Sequence, residues 1–268
     1  MIIELSDFFN NPSLIEIGWF RVQYYAVTWI LSAIFIFQYL KNHQIIGELK
    51  LTPDQVNDIV FLYGLLFGAM LGGRFGYMFF YGLDQLAVNP LSLFFIWEGG
   101  LSFHGGLMGV IVSLYVYAQQ HRISFLRLAD SICTAMPIGL GLVRIGNFIN
   151  GELFGRPTDG TWGFIFPTDP YGFARHPSQL YEAFFEGVFL FIVLIIVNAK
   201  NKRHGVISGA FLFTYGLIRF FIEYFRQPDS HMGFVALQLS MGQLLSIPMV
   251  IIGLLLLIKS LKKNEAVS

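Results

Sequence analysis

Charge is what this sequence has least of. Only 13% of its 268 residues are Asp, Glu, Lys or Arg, and 17 basic residues balance 17 acidic ones. A soluble domain carries about 25% charged residues, so an ordinary water-facing surface is excluded. A neutral chain also lacks the basic footprint of a nucleic-acid surface. The single cysteine, Cys133, excludes an intramolecular disulfide, and its apolar neighbours mark it as core filler. The six His are scattered and no HExxH occurs, so neither a metal site nor a cofactor is expected. There is no Gly-rich phosphate loop before Lys-Ser or Lys-Thr. No G-x-S-x-G elbow surrounds Ser102. Repeats, low-complexity tracts and the paired halves of an inverted-repeat transporter are absent too. The N-terminal "MIIELSDFFNNPSLIEIGWF" lacks a basic n-region and a small-residue cleavage site, so no removable signal peptide is expected.

What is abundant is apolar. The chain is 55% hydrophobic with 29 Phe, more than one soluble core could hide, which points to an integral membrane protein. Seven apolar stretches run near 20–39, 57–80, 91–118, 125–146, 178–198, 206–225 and 237–260. Each approaches or exceeds the ~20 residues a crossing needs. The expected fold is all-α: one polytopic transmembrane domain over 1–268 with seven helices and a polar loop region near 151–177. "WEGGLSFHGG" interrupts the third stretch, which is tolerated only where protein or a polar cavity covers the backbone.

Orientation follows from the basic residues. Lys41, Lys50, Arg122, Arg127, Lys200, Lys202, Arg203, Lys259, Lys262 and Lys263 share one set of loops. The positive-inside rule makes that side cytoplasmic, with the N-terminus outside and the C-terminus inside. The opposite set is all arginine: Arg21, Arg74, Arg144, Arg156, Arg175, Arg219 and Arg226. Topology signals need no such bias. The planar guanidinium fork grips phosphate bidentately, as lysine cannot.

At about 1.5 Å rise per residue, Arg144 lies roughly 30 Å above the inner face, Glu223 about 27, Arg74 about 26, His104 about 22 and Arg219 about 21. Tyr24 and Tyr25 occupy the outer part of the first stretch. Five helices thus place polar groups in the outer third of the bilayer. Intramembrane ionisable groups normally face inward and mark a site. The convergence reads as a polar chamber open to the outer leaflet.

The motifs carry the chemistry. In "SFHGGLMG", His104 precedes a Gly pair that permits close backbone approach. A neutral His can serve as a general base, or simply bond a neighbouring helix. "YGLIRFFIEYF" sets Tyr215, Arg219 and Glu223 four apart on one face. An intrahelical ion pair is the plain alternative, though Arg before Glu is the weaker order. "RIGNFINGE" puts Arg144, Asn147 and Asn150 on one face, with Glu152 and Gly155 where the helix should end. Gly-rich backbone is also how helices ordinarily stop. "RHPSQLYEA" starts the fifth stretch at Pro177, with Gln179 and Glu182 three apart beyond it. "RQPD" at 226–229 reads as a surface turn.

Together, "GGLSFHGGLMG", "RIGNFINGELFGRPTD", "RHPSQLYEA" and "YGLIRFFIEYFRQPD" resemble the prolipoprotein diacylglyceryl transferase family, from about residue 15 to 255 and in the family's order. The resemblance implies a seven-span enzyme of the bacterial inner membrane. It would move the diacylglyceryl group of phosphatidylglycerol to the lipobox Cys thiol of a preprolipoprotein, forming a thioether and releasing glycerol 1-phosphate. It also maps the family's essential His to His104 and its phosphate-binding Arg to Arg144. Other important positions map to Tyr25 (with Tyr24 as the alternative), Asn147, Glu152, Gly155, Tyr215, Arg219 and Glu223.

On that reading, Arg144 and Arg219 hold the phosphate, and Asn147 and Asn150 bond the glycerol headgroup. Glu223 orients Arg219, and Tyr215 extends the network. The nucleophile is the substrate's cysteine, with His104 as base and Glu152 as the alternative. The competing classes are a membrane lipid transporter and an intramembrane hydrolase using Ser102.

Overall fold

The computed structural model describes residues 1–5, 9, 12–17, 20–96, 99–228, 234–236 and 238–262. Trp97 and Glu98 of the interrupted stretch, Asp229 of "RQPD", Lys263 and the Arg21 side chain lie outside what is described. The chain is predominantly helical. In order come β1 (Ile2–Glu4), β2 (Ser13–Ile17), β3 (Phe20–Gln23), α1 (Tyr24–Lys41), α2 (Gln44–Glu48), α3 (Pro53–Tyr81), α4 (Leu83–Val88), a 3₁₀ turn (Pro90–Phe94) and α5 (Phe103–Gln120). There follow α6 (Phe125–Ile149), β4 (Gly163–Ile165), β5 (Ala174–Arg175), α7 (Ser178–Lys200), α8 (Val206–Ile222), β6 (Phe234–Ala236), β7 (Leu239–Ser240) and α9 (Met241–Lys262).

Four of these, α3, α6, α7 and α9, are long and apolar enough to cross a membrane. Their faces carry large exposed apolar side chains: Phe67 on α3, Ile192 on α7, Ile251, Ile252 and Leu255 on α9. Extended apolar surface of this kind is stable only against lipid or protein. The chain is a membrane protein.

Three of the expected stretches begin too early. Residues 20–23 form β3, paired antiparallel to β2, and the first helix starts only at Tyr24. Residues 234–236 and 239–240 form β6 and β7, and the last helix starts at Met241. The stretch 91–118 is helical in the long run only from Phe103. Pro90 and the Asn89 side chain, which accepts the Leu91 amide, set up the short 3₁₀ turn instead. Gly99 and Gly100 then take φ of 80° and 69°, a region open to glycine at no steric cost. Ser102 restarts the helix as an N-cap, its Oγ accepting the Gly105 amide.

The chain divides into two compact units, residues 37–129 and residues 1–36 with 130–268. In the 37–129 unit a capping box at Thr52 and Gln55 opens α3. α3 and α5 then meet along glycines. A Cβ at Gly72 would stand 2.8 Å from Gly105 O and Gly109 Cα, and one at Gly76 2.6 Å from Gly105 Cα. Small residues four apart let membrane helices touch backbone to backbone. Arg74, almost wholly buried, donates from Nε and Nη2 to Ser92 O at 3.2 and 2.7 Å, and from Nη1 to Gly99 O. It ties Ser92 and Gly99 to α3.

In the other unit, α8 and α9 also cross at glycines. A Cβ on Gly209 would lie 3.1 Å from Gly253 O. The start of α8 is capped from a different helix: buried Asp130 of α6 accepts the Gly205 and Ser208 amides at 2.7 and 2.8 Å and the Ser208 hydroxyl at 2.7 Å. Residues 151–177 are ordered by a small sheet, β1 parallel to β4 and β4 antiparallel to β5.

The glycine seam is testable. Gly72→Val places methyl groups where only backbone stands, and overpacking of this kind costs about 1–3 kcal/mol. The thermal midpoint of the purified protein in detergent should fall by several degrees; an unchanged midpoint would contradict the seam.

Candidate active site

Three helix ends bring the polar groups of the larger unit together. Arg144 lies near the end of α6, Glu182 and Glu186 in the first turns of α7, and Arg219 near the end of α8. Arg144 Nε stands 2.7 Å from Glu182 Oε2 and 3.9 Å from Glu186 Oε2. Arg219 Nη1 reaches Glu182 Oε1 at 2.7 Å and Glu186 Oε1 at 3.3 Å, while its Nη2 meets Glu223 Oε2 at 2.8 Å. Arg226 closes the far side, 4.0 Å from Glu182 and 3.9 Å from Glu223. Glu182 and Glu186 are fully buried, Glu223 and Arg219 nearly so. Arg144 keeps 20% of its side chain exposed, more than Arg219 at 9% or Arg226 at 13%.

The local sequence explains the convergence. Glu182 and Glu186 are four apart within apolar text, and α7 widens to π-helical bonding over Ala183–Phe189. Two carboxylates at that spacing repel, so they hold one face only because cations from α6 and α8 stand opposite. Glu223 is fixed from behind. Ser240 Oγ donates to its Oε1 at 3.0 Å, and a Cβ on Gly242 would fall 2.7 Å from its carboxyl carbon.

A second chain of contacts leaves Arg144. Its Nη1 donates to Asn147 Oδ1 at 3.4 Å, and Asn147 Nδ2 donates to Glu152 Oε1 at 2.9 Å. Gln179 Nε2 holds the Glu152 carbonyl at 2.7 Å. The Gly155 amide donates to His176 O at 2.8 Å, and a Cβ there would meet His176 O and Phe225 O at 2.5 and 2.6 Å, so only glycine fits. Within the 151–177 loop, Asp169 takes Arg175 bidentately at 2.8 and 2.9 Å. Burial works to raise the Asp169 carboxyl, but the Arg175 guanidinium and the Tyr171 and Phe173 amides outweigh it and hold it below its ordinary value.

A family model described as prolipoprotein diacylglyceryl transferase matches residues 12–259. The chain belongs to the prolipoprotein diacylglyceryl transferase family. Proteins named phosphatidylglycerol–prolipoprotein diacylglyceryl transferase resemble it along nearly their whole length. The one from Geobacter sulfurreducens is 48% identical over 246 residues, 91% of this chain and 93% of its own. That of Chromohalobacter salexigens is 44% identical over 252 residues, covering 93% and 92%. That of Aliivibrio fischeri is 45% identical over 254 residues, covering 95% and 91%.

Of the residues singled out in sequence, Arg144, Asn147, Glu152, Arg219 and Glu223 fall in this one network of the family member. Tyr215 lies on the same face of α8, stacked on Phe211 at 5.6 Å and within electrostatic reach of Arg144, Arg219 and Glu186. Tyr25 is edge-on to Trp29 and backs onto Gly146, whose Cβ would stand 3.1 Å from the ring. Asn150 keeps its side-chain oxygen buried with no hydrogen bond among the described residues. His104 is exposed in the first turn of α5, in the 37–129 unit, its ring edge-on to Phe103 at 5.7 Å. Ser102, the nucleophile an intramembrane hydrolase would need, has its hydroxyl engaged as the α5 cap.

Sequence reasoning missed Glu186 and treated Arg226 as part of a surface turn. The signal for Glu186 was present: "YEAFFEGVFLF" repeats a carboxylate four residues on, with no lysine or arginine nearby to balance it.

Glu182→Gln leaves Arg144 and Arg219 facing reduced charge. Breaking a buried ion pair costs about 3–5 kcal/mol. The variant should melt well below the parent at neutral pH; equal midpoints would show that the network carries no energetic weight.

Proposed function

We propose that this chain transfers the diacylglyceryl group of phosphatidylglycerol to the lipobox cysteine thiol of preprolipoproteins, forming a thioether and releasing glycerol 1-phosphate. This is the first step of bacterial lipoprotein maturation. The observation that carries the proposal is the pair of guanidiniums, half-buried Arg144 and buried Arg219, joined through Glu182 in a chain 48% identical over 246 residues to an enzyme so named.

The chemistry asks for such a pair. Displacing a phosphate ester from carbon places growing negative charge on a phosphate oxygen, and fixed cations in a water-poor site stabilise that charge strongly. Arg144 and Arg219 hold the phosphate, and Asn147 and Asn150 bond the glycerol headgroup. Asn150 Oδ1, buried with no hydrogen bond among the described residues, is the acceptor in this proposal. Glu223 orients Arg219 through their 2.8 Å pair. Tyr215 and Tyr25 border the site, and Gly155 lets the loop close against residues 225–226. The attacking sulfur belongs to the substrate; Cys133 lies within α6, eleven residues before Arg144 and beside Asp130 and Ser208 near the start of α8. A thiol must lose its proton to attack well. His104 is the base of this proposal and Glu152 the alternative.

The arrangement in the bilayer follows the same reading: a single transmembrane domain of seven spans in the bacterial inner membrane. The N-terminus is outside, the C-terminus cytoplasmic, and loop 151–177 is on the outer side. The lipobox cysteine emerges there after translocation, and the acyl chains remain in lipid. A lipid transporter would instead need polar groups in both membrane halves to alternate access.

Purified protein given labelled phosphatidylglycerol and a lipobox peptide should add one diacylglyceryl group to the peptide cysteine and release glycerol phosphate. A peptide of unchanged mass would overturn the proposal. Arg144→Lys should lose most activity, because a point charge cannot replace the fork.

His104→Gln should abolish transfer while phosphatidylglycerol binding persists. Loss of binding would instead make His104 a residue that shapes the lipid site.

A further inference from the structure

The guanidinium cluster is not an open cationic pocket. Arg144, Arg219 and Arg226 meet Glu182, Glu186 and Glu223; Arg156, whose guanidinium donates to Arg226 O and Glu223 O at 2.9 and 3.4 Å, and Glu152, joined through Asn147, add one charge of each sign, so among the described residues the formal charge is zero. A phosphodiester is a monoanion. If it settles against Arg144, more accessible than Arg219 or Arg226, the site is left with one uncompensated negative charge among buried side chains. In a medium of low dielectric a buried group takes or gives up a proton rather than bear such a charge.

We propose that phosphatidylglycerol binding at this cluster is coupled to the uptake of one proton, and that Glu186 receives it. The inference rests on the transferase reading above. One proton from solvent adds to a carboxylate oxygen of Glu186, no other bond changes, and the lipid-bound site returns to zero net charge.

Geometry selects Glu186 over its neighbours. Glu182 is held by two guanidiniums at 2.7 Å, and Glu223 by one at 2.8 Å and by the Ser240 hydroxyl at 3.0 Å. Glu186 has the weakest hold: 3.3 Å to Arg219 and 3.9 Å to Arg144. Like the Oε2 atoms of Glu182 and Glu223, its Oε2 is buried with no hydrogen bond among the described residues, but its guanidinium neighbour stands 3.9 Å away against 2.7 and 2.8 Å for theirs. That oxygen is a seat for a proton. The charged and titratable groups facing Glu186 are Arg219 and Tyr215 from α8, Arg144 from α6, and Glu182 one turn away on its own helix. Arg226 and Glu223 pair with Glu182 and Arg219, and Glu152 is joined to Arg144 by way of Asn147. Withdrawing Arg144 toward a phosphate loosens the grip on Glu182 and Glu186 together, and the carboxylate with the poorer remaining partners is the one that is protonated.

The test is calorimetric. Short-chain phosphatidylglycerol is titrated into the purified full-length protein near pH 8, in two buffers of different ionisation enthalpy. The difference in heat counts protons bound per lipid. The parent should take up close to one proton, and its affinity should fall by about tenfold per pH unit above neutrality. Glu186→Gln should still bind, with the proton count near zero and the pH dependence flattened. A count of zero in the parent, or undiminished uptake in Glu186→Gln, overturns the inference. The parent count alone decides the matter if the variant does not fold. Diacylglyceryl transfer to a lipobox peptide, run in parallel, separates the two readings. Transfer with no proton uptake removes Glu186 from this role and leaves the transferase intact. Failure to bind the lipid removes both, and binding with proton uptake but without transfer removes the transferase reading alone.

Discussion

A guanidinium cannot stand alone inside a membrane protein, and the candidate site is shaped by that constraint. Arg144 and Arg219 come from α6 and α8, and the charges that make their burial tolerable come from α7, through Glu182 and Glu186. The pairing is also a joint. Each arginine shares Glu182, so the ends of three helices are bound at one point. A buried charge left without its partner costs more than the pair returns, so no one of the three helix ends can leave without exposing the other two to that penalty.

Bringing polar groups together this closely requires backbones that can approach. The chain meets the requirement with glycine and does so separately in each unit. In the 37–129 unit, Gly72 and Gly76 face Gly105 and Gly109; in the other, Gly209 and Gly216 line the contact of α8 with α9. Water-driven burial does little to hold helices together in lipid, so close contact and interhelical hydrogen bonds carry the association. Asp130 is an instance of the second kind. Its carboxylate replaces the missing intrahelical partners at the start of α8, and so joins the far end of α8 to α6 as the arginine network joins the near end.

Much of this was legible in the sequence, for identifiable reasons. Each of the seven apolar stretches overlaps a helix, because long apolar runs leave few alternatives. Their starts were less legible. Residues 20–23, 234–236 and 239–240 are short segments, which periodicity does not separate from helix, and they pair as strands. The late start of α5 could be read only from how Gly99, Gly100 and Ser102 act together. In the site, Arg144 with Asn147 and Arg219 with Glu223 were visible because helical spacing of three and four puts them side by side. Partners contributed by other helices have no such local signature. Nothing near Arg226 in the chain announces Glu182, 44 positions earlier by number.

The two carboxylates of α7 have a consequence for how the site is used. A naked cation pair would bind any anion strongly and release it slowly, and it would destabilise the protein between turnovers. A pair already satisfied by Glu182 and Glu186 stays ordered without substrate, so its geometry is preorganised rather than assembled on binding. On the proposed function, an arriving phosphate would compete with carboxylates for the same N–H donors. That competition would weaken ground-state affinity, but it would work in favour of a transition state in which the phosphate oxygen carries more charge than in the bound lipid. An interaction that grows with developing charge accelerates the reaction, whereas one that holds substrate equally well throughout does not.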